Sequence, residues 1–359
     1  MAVETLETER RCAGAQNLLS AAIQRILQAE AVSGAICKLP VAGWIARCIA
    51  RQRHEGTRMK VSIIGPGKVG MVLAYTLMLK GVAREIVLVG SDVARAEGEA
   101  MDLMHAQAFL QVPVTVRAGT MKDVAGSTVV ALCASVPSPP GMSDRNIIAQ
   151  GNAALLRQIL PGLARAAPAA KLVMVSNPVD VMTWLALEIT GFPARQVMGT
   201  GTLVDSIRFR ELLSQQLAIH PDDLRAYILG EHGEHQFPAM SVASAGGARI
   251  EDTPERRALC EQAKRLGIEV FRKKGNTCYA IGLAAAYIIE SILLDEKRTI
   301  PLSVRTDGFL GIHGVCLSLP VVVGANGIER YLHPELSAAE AAQFRTAAEA
   351  VRKITAALK

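Results

Sequence analysis

Several features are missing or scarce in this sequence, and each narrows what it can be. No apolar run reaches the roughly 18 residues of a membrane-spanning helix, so no span is expected. The apolar stretch 35–50 is interrupted by Lys38, Pro40 and Arg47. Its upstream flank carries Glu4, Glu7 and Glu9, which does not fit a secretory signal. The seven cysteines form no CxxC and no paired spacing. They are expected to be reduced thiols of a cytoplasmic protein. No Lys/Arg run is dense enough for nucleic acid. The net charge of +6 serves solubility and would also attract anionic ligands. Aromatic residues make up only 4% of the chain against 30 glycines, a balance suited to an α/β protein with tight strand–helix turns.

At 359 residues the chain can build two core-sized units or one large one. Residues 1–58 carry no strand or site motif, only a short amphipathic pattern from Leu18 to Leu27. They are expected to be a poorly ordered, dispensable extension upstream of a start at Met59. From there strands and helices alternate. Strands are expected at 60–64, 85–89, 113–117, 128–133 and 171–175, with helices near 68–80, 94–105 and 144–165. Such alternation predicts a parallel sheet with right-handed crossovers. After about 204 the pattern becomes mixed, with a helix near 202–217, a strand at 224–229 and a long helix near 254–273. Ser337 with Glu340 three residues on is a capping box. It opens a last helix whose apolar side recurs at Phe344, Ala347, Val351, Ile354 and Leu358.

Directly after the first strand, Gly65-Pro66-Gly67-Lys68-Val69-Gly70 reads GxGxxG. The first Gly permits a tight turn, the second lets a pyrophosphate approach the backbone, and the third lets helix and strand pack closely. The helix then offers N–H groups and a partial positive charge to the phosphates, through Gly65, Gly67, Lys68, Val69 and Gly70. A carboxylate is expected at the end of the second strand to bind the ribose 2′-hydroxyl. Gly90-Ser91-Asp92 stands there instead. NAD is the expected cofactor, and NADP is an alternative because Ser91 and Arg95 can hold a 2′-phosphate. In a third reading Asp92, slightly displaced, still binds the ribose.

Asp205 and Arg208, three residues apart on one helix face, lie upstream of Gly230-Glu231-His232-Gly233. A guanidinium can grip a carboxylate through two parallel hydrogen bonds. An aspartate that reaches His232 would hold the imidazole in one tautomer and favour its protonated form. A carboxylate clamp beside a proton donor is what the reduction of a 2-keto acid requires.

From Met59 to about Ile354 the chain resembles the L-lactate/malate dehydrogenase family. The motifs that carry the resemblance occur in order. They are the Gly turn, Gly98-Glu99-Ala100-Met101-Asp102-Leu103, Ser176-Asn177-Pro178-Val179-Asp180, Gly199-Thr200-Gly201-Thr202, Asp205-Ser206-Ile207-Arg208, Gly230-Glu231-His232-Gly233 and Gly275-Asn276-Thr277. The resemblance implies a Rossmann-type doubly wound parallel sheet at 59–204, followed by an α+β catalytic domain at 205–359, in a homodimer or homotetramer. It implies His232 as proton donor and acceptor, Asp205 as its orienting partner and Arg208 as the binder of the substrate carboxylate. Asn177 would bond near the reacting carbon, Thr277 would line the substrate pocket, and Ser176 would join the cofactor site. An arginine on a mobile loop, here Arg145, would stabilise charge on the carbonyl oxygen.

Substrate choice in the family depends on that loop, where malate dehydrogenases usually place Arg and lactate dehydrogenases Gln. Ser138 occupies this position. It leaves the second carboxylate of oxaloacetate unpaired, which favours pyruvate or a longer 2-keto acid. Ser135 stands where the family usually has Gly, close to the dinucleotide. Some bacterial lactate dehydrogenases bind a sugar bisphosphate through an Arg and a His; Arg210 and Arg225 fall at those positions. His235 is expected to be non-catalytic. The alternatives are a malate or branched 2-hydroxy acid dehydrogenase, a non-catalytic dinucleotide-binding protein, and an NAD-dependent glycosidase. The last would need a metal held by Cys and His, and the sequence offers no such cluster.

Overall fold

The computed structural model describes residues 59–137 and 148–358. The extension 1–58, its amphipathic stretch at Leu18–Leu27, Ser138 and Arg145 lie outside the described residues. Six parallel strands form the first part of an 11-stranded sheet: β1 (Lys60–Ile64), β2 (Glu85–Val89), β3 (Thr115–Gly119), β4 (Val129–Leu132), β5 (Lys171–Met174) and β6 (Val197–Gly199). Their spatial order is β3-β2-β1-β4-β5-β6. This is the doubly wound order, with its reversal point between β1 and β4. Val61, Ile63, Val87, Leu88, Val129, Leu132, Leu172 and Val173 are all fully buried. Helices cover both faces of such a sheet, which is why its strands read as continuous apolar runs. Each of these side chains contributes roughly 1.5–3 kcal/mol by leaving water.

The crossover helices are α1 (Lys68–Lys80), α2 (Val93–His105), α3 (Ala149–Ala166) and α4 (Val179–Thr190). The third strand starts two residues later than its apolar pattern suggests. Pro113 has no N–H to give a ladder. Val114 donates to the Gln107 side chain instead, and pairing begins at Thr115 opposite Glu85.

Beyond β6 the sheet continues with antiparallel strands. In chain order come α5 (Leu203–Leu217), β7 (Leu224–Arg225), β8 (Ile228–Gly230), β9 (Gln236–Pro238), β10 (Ser244–Ala245) and β11 (Ala248–Arg249). They are followed by α6 (Pro254–Lys274), α7 (Tyr279–Leu293), β12 (Arg298–Arg305), β13 (Cys316–Gly324), β14 (Gly327–Tyr331) and α8 (Ala338–Ala356). The expected division at 204/205 falls in the first turn of α5. The expected strand at 224–229 is two strands in two sheets: β7 pairs with β10, while β8 pairs with β13 and β9. α8 carries the expected capping box, with Phe344, Ala347 and Val351 fully buried.

Candidate active site

The site is built at the carboxyl ends of the parallel strands, where such sheets bind ligands. Gly65 follows β1 with φ +89°, and a Cβ there would lie 2.4 Å from the backbone N of Ala134, which follows β4. Only glycine allows these two strand ends to meet. A Cβ on Gly70 would stand 2.5 Å from the Gly65 carbonyl, so the third glycine lets α1 close onto the turn. Gly67, the N-cap of α1, faces open space. No side chain among the described residues caps α1, and its first turn holds no acid. The turn therefore leaves room and unopposed N–H groups for an anionic group. Lys68 is exposed and Val69 half-buried beside it.

Ser91, just after β2, and Arg95, in the first turn of α2, are exposed, and Arg95 Nε lies 3.8 Å from Glu99. Asp92 caps α2, accepting the Arg95 amide at 3.0 Å, so one of its carboxylate oxygens is already engaged. A Cβ on Gly90 would come within 3.3 Å of Pro66 Cγ. Any side chain at 90 presses on the glycine turn. Ser176 is buried, and its hydroxyl donates to the carbonyls of Leu132 and Ala134. It ties the ends of β4 and β5 together behind the turn.

Asp205 lies in the first turn of α5 and His232 follows β8. Buried polar groups join these elements. The Thr202 amide donates to Ser318 Oγ, the Thr202 hydroxyl donates to the Ile228 carbonyl, and the Ile228 amide donates to Ser206 Oγ. Gly201 permits this approach, since a Cβ on it would stand 2.4 Å from the Ser303 amide nitrogen. As a result His232 Nδ1 lies 2.6 Å from Asp205 Oδ2. A carboxylate only accepts, so Nδ1 carries the shared proton and Nε2 is the ring nitrogen that can exchange a proton with a substrate. Arg208 Nη1 donates to Asp205 Oδ1 at 3.2 Å. Gly267 of α6 leaves space for that guanidinium, because a Cβ there would be 3.0 Å from Nη1.

Asp180, in the first turn of α4, is a member of this cluster to which the motif reading gave no role. It is 2% exposed, and its Oδ2 accepts the His232 amide at 2.7 Å. Burial pushes its carboxyl up to about 6. Oδ1 has no hydrogen-bond partner among the described residues, and neither has Ser303 Oγ, although that hydroxyl is near enough to favour the carboxylate. Asn177 is half-buried after β5, and its carbonyl accepts Asn152 Nδ2 at 2.6 Å. Thr277 is half-buried in the connection between α6 and α7. His235 Nδ1 lies 2.6 Å from Glu231 Oε2.

Residues 59–199 match the lactate/malate dehydrogenase NAD binding domain, and residues 202–358 match the lactate/malate dehydrogenase alpha/beta C-terminal domain. The chain belongs to the lactate/malate dehydrogenase family. The L-lactate dehydrogenase of Synechococcus sp. (strain JA-3-3Ab) is 39% identical over 302 residues, covering 82% of this chain and 98% of that protein. That of Thermus aquaticus is 39% identical over 310 residues, covering 84% and 99%. The solved minor L-lactate dehydrogenase from Enterococcus mundtii aligns with a TM-score of 0.79 at 32% identity, covering 84% of this chain and 99% of the other.

As in other members of the lactate/malate dehydrogenase family, the amino-terminal part is a nicotinamide-cofactor domain, and the glycine turn described above suits its pyrophosphate. The motif Ser176–Asp180 includes Asp180, so a signal for it was present. Thr202 and Ser206 also lie inside motifs of the resemblance, which gave them no role of their own, whereas nothing in local pattern marks Gly267. No helix of the described residues is long and apolar enough to cross a membrane, and none of their His, Cys, Asp and Glu residues form a group suited to a metal ion.

Proposed function

We propose that the protein is an L-2-hydroxy acid dehydrogenase acting on L-lactate and pyruvate. The observation that carries this reading is the Asp205–His232 pair beside Arg208. When bound, the nicotinamide cofactor supplies or accepts the hydride. His232 Nε2 donates the proton to the carbonyl oxygen, and Asp205 stabilises the imidazolium left when a proton is taken back in the reverse direction. Arg208 binds the substrate carboxylate. Asn177 bonds near the reacting carbon, Thr277 lines the substrate pocket, and Arg145 supplies positive charge to the carbonyl oxygen. Ser138 carries no charge to pair with a second carboxylate, which favours pyruvate over oxaloacetate. The names of the relatives support the same choice.

NAD is the expected cofactor. Gly90, which offers no carboxylate to the ribose, supports NADP as the alternative, with Ser91 and Arg95 exposed nearby. Exposed Val93, Met101 and Phe109 around α2 support association of copies as a homodimer or homotetramer. Free Cys133, Cys260, Cys278 and Cys316 suit the reducing cytoplasm. Arg210 has a buried Nε without a partner among the described residues, and its neighbours include Arg225 and Tyr227. This supports an anionic effector, a sugar bisphosphate, at Arg210 and Arg225.

The test is kcat/KM for pyruvate, 2-ketoisocaproate, phenylpyruvate and oxaloacetate, each with NADH and NADPH. Pyruvate is expected to lead. A clear preference for oxaloacetate overturns the substrate reading, and absence of turnover on all four overturns the reaction class.

A further inference from the structure

One buried amide connects two segments of the proposed site. Asn152, in the first turn of α3, is 1% exposed. Its Oδ1 accepts the Val136 amide at 2.7 Å. Its Nδ2 donates to Ser135 Oγ at 3.1 Å and to the Asn177 carbonyl at 2.6 Å. Both Nδ2 hydrogens are thereby used. Ser135 Oγ in turn donates to the Val136 carbonyl at 3.1 Å, closing a small ring of bonds. Neighbouring Gly151 permits this docking, because a Cβ on it would stand 3.0 Å from Val136 Cγ2.

We propose that Asn152 is a positioning residue for Asn177, and that Ser135 fixes the orientation in which Asn152 acts. The proposal rests on the reading of Asn177 as a substrate-side group. Turning the Asn152 amide over would set its oxygen against the Asn177 carbonyl and its NH2 against the Val136 amide. Two like poles would then face each other in a buried place, which is costly. The Ser135 hydroxyl penalises that flip further, since it accepts from Nδ2 while donating to Val136. Ser135 is itself exposed, so replacing it perturbs the ring without opening a core cavity.

The experiment compares S135A, S135T and S135G, with N152A and the double variant S135A/N152A. Losing one hydrogen bond is expected to lower kcat/KM for pyruvate about threefold to tenfold in S135A, and S135T is expected to restore it. In the N152A background S135A should add nothing, since the bond is already gone. Amide exchange at Val136 reads the ring without turnover: slow in the parent, faster in S135A and fastest in N152A. If the parent reduces no 2-keto acid, the functional reading falls while exchange still judges the ring. The proposal is overturned if S135A and S135G tighten coenzyme binding with no loss of kcat/KM, if the two losses multiply, or if Val136 exchange is unchanged.

Discussion

Replacing Asp180 with Asn isolates what a buried carboxylate costs beside the proposed proton donor. Burial is the main influence on this group and moves it from 3.8 to about 6; the Ser303 hydroxyl and His232 pull the other way, and Glu231 adds to the rise. A carboxyl with a raised folded pKa holds its proton more tightly when folded than when unfolded. Its ionisation therefore costs stability: nothing below about 3.8, increasingly as pH climbs to about 6, and a constant amount above. The full shift corresponds to about 3 kcal/mol. Asn keeps an acceptor for the His232 amide and nearly the same shape, but it cannot ionise. The stability of Asp180→Asn relative to the parent should therefore grow with pH, by about 2 kcal/mol between about pH 4.5 and 7.5, and level off above. Urea denaturation of both proteins at four pH values across that range measures the gap. A gap that does not change with pH would refute the argument, because an unchanging difference is what packing alone would give.

Asp205→Asn leaves the geometry nearly intact but no longer selects the tautomer or balances the imidazolium; kcat is expected to fall by about 10⁴, as for the aspartate of a serine protease triad, with a smaller change in pyruvate KM. A kcat within tenfold of the parent removes Asp205 from the orienting role. Gly267→Ala puts a methyl 3.0 Å from Arg208 Nη1, so pyruvate KM should rise while NADH affinity by fluorescence titration stays put; an unchanged KM would show that the guanidinium yields freely. Gly90→Asp supplies the missing carboxylate but pushes on Pro66. Its ratio of kcat/KM for NADH over NADPH should increase, with weaker binding of both cofactors; a ratio that does not move separates position 90 from cofactor choice.

Much of the doubly wound half was legible because its signals are local. β1, β2, β4 and β5 are mostly apolar runs bounded by turns, while β6 and α4, short or buried nearly all round, gave no such signal. β12 and β13 were harder to read. Pro301 and Pro320 interrupt both runs, and only pairing shows that the two prolines lie opposite each other on neighbouring strands. α7 is apolar nearly all round and carries no charged cap, so its start lacks a polar signal. Within the site, the motifs named Asp205, Arg208 and His232, while Asn152 gave no sign of itself. It stands alone in α3, and its importance comes from three bonds to segments 16 to 25 residues away.

The sequence by itself determined the glycine turn, the strand–helix alternation from Met59 through β5, the family and the residue types available for hydride-linked proton transfer. Those depend on backbone freedom, hydrophobic period and short motifs, all of which act within a few residues. Tertiary structure alone decided which of these groups touch. Thr202 and Ser206 draw α5 onto β8 and so bring Asp205 to His232. The fold also placed Asp180 behind the same histidine and left its carboxyl buried. Contact and burial are properties of packed elements, and no local pattern in the chain encodes them.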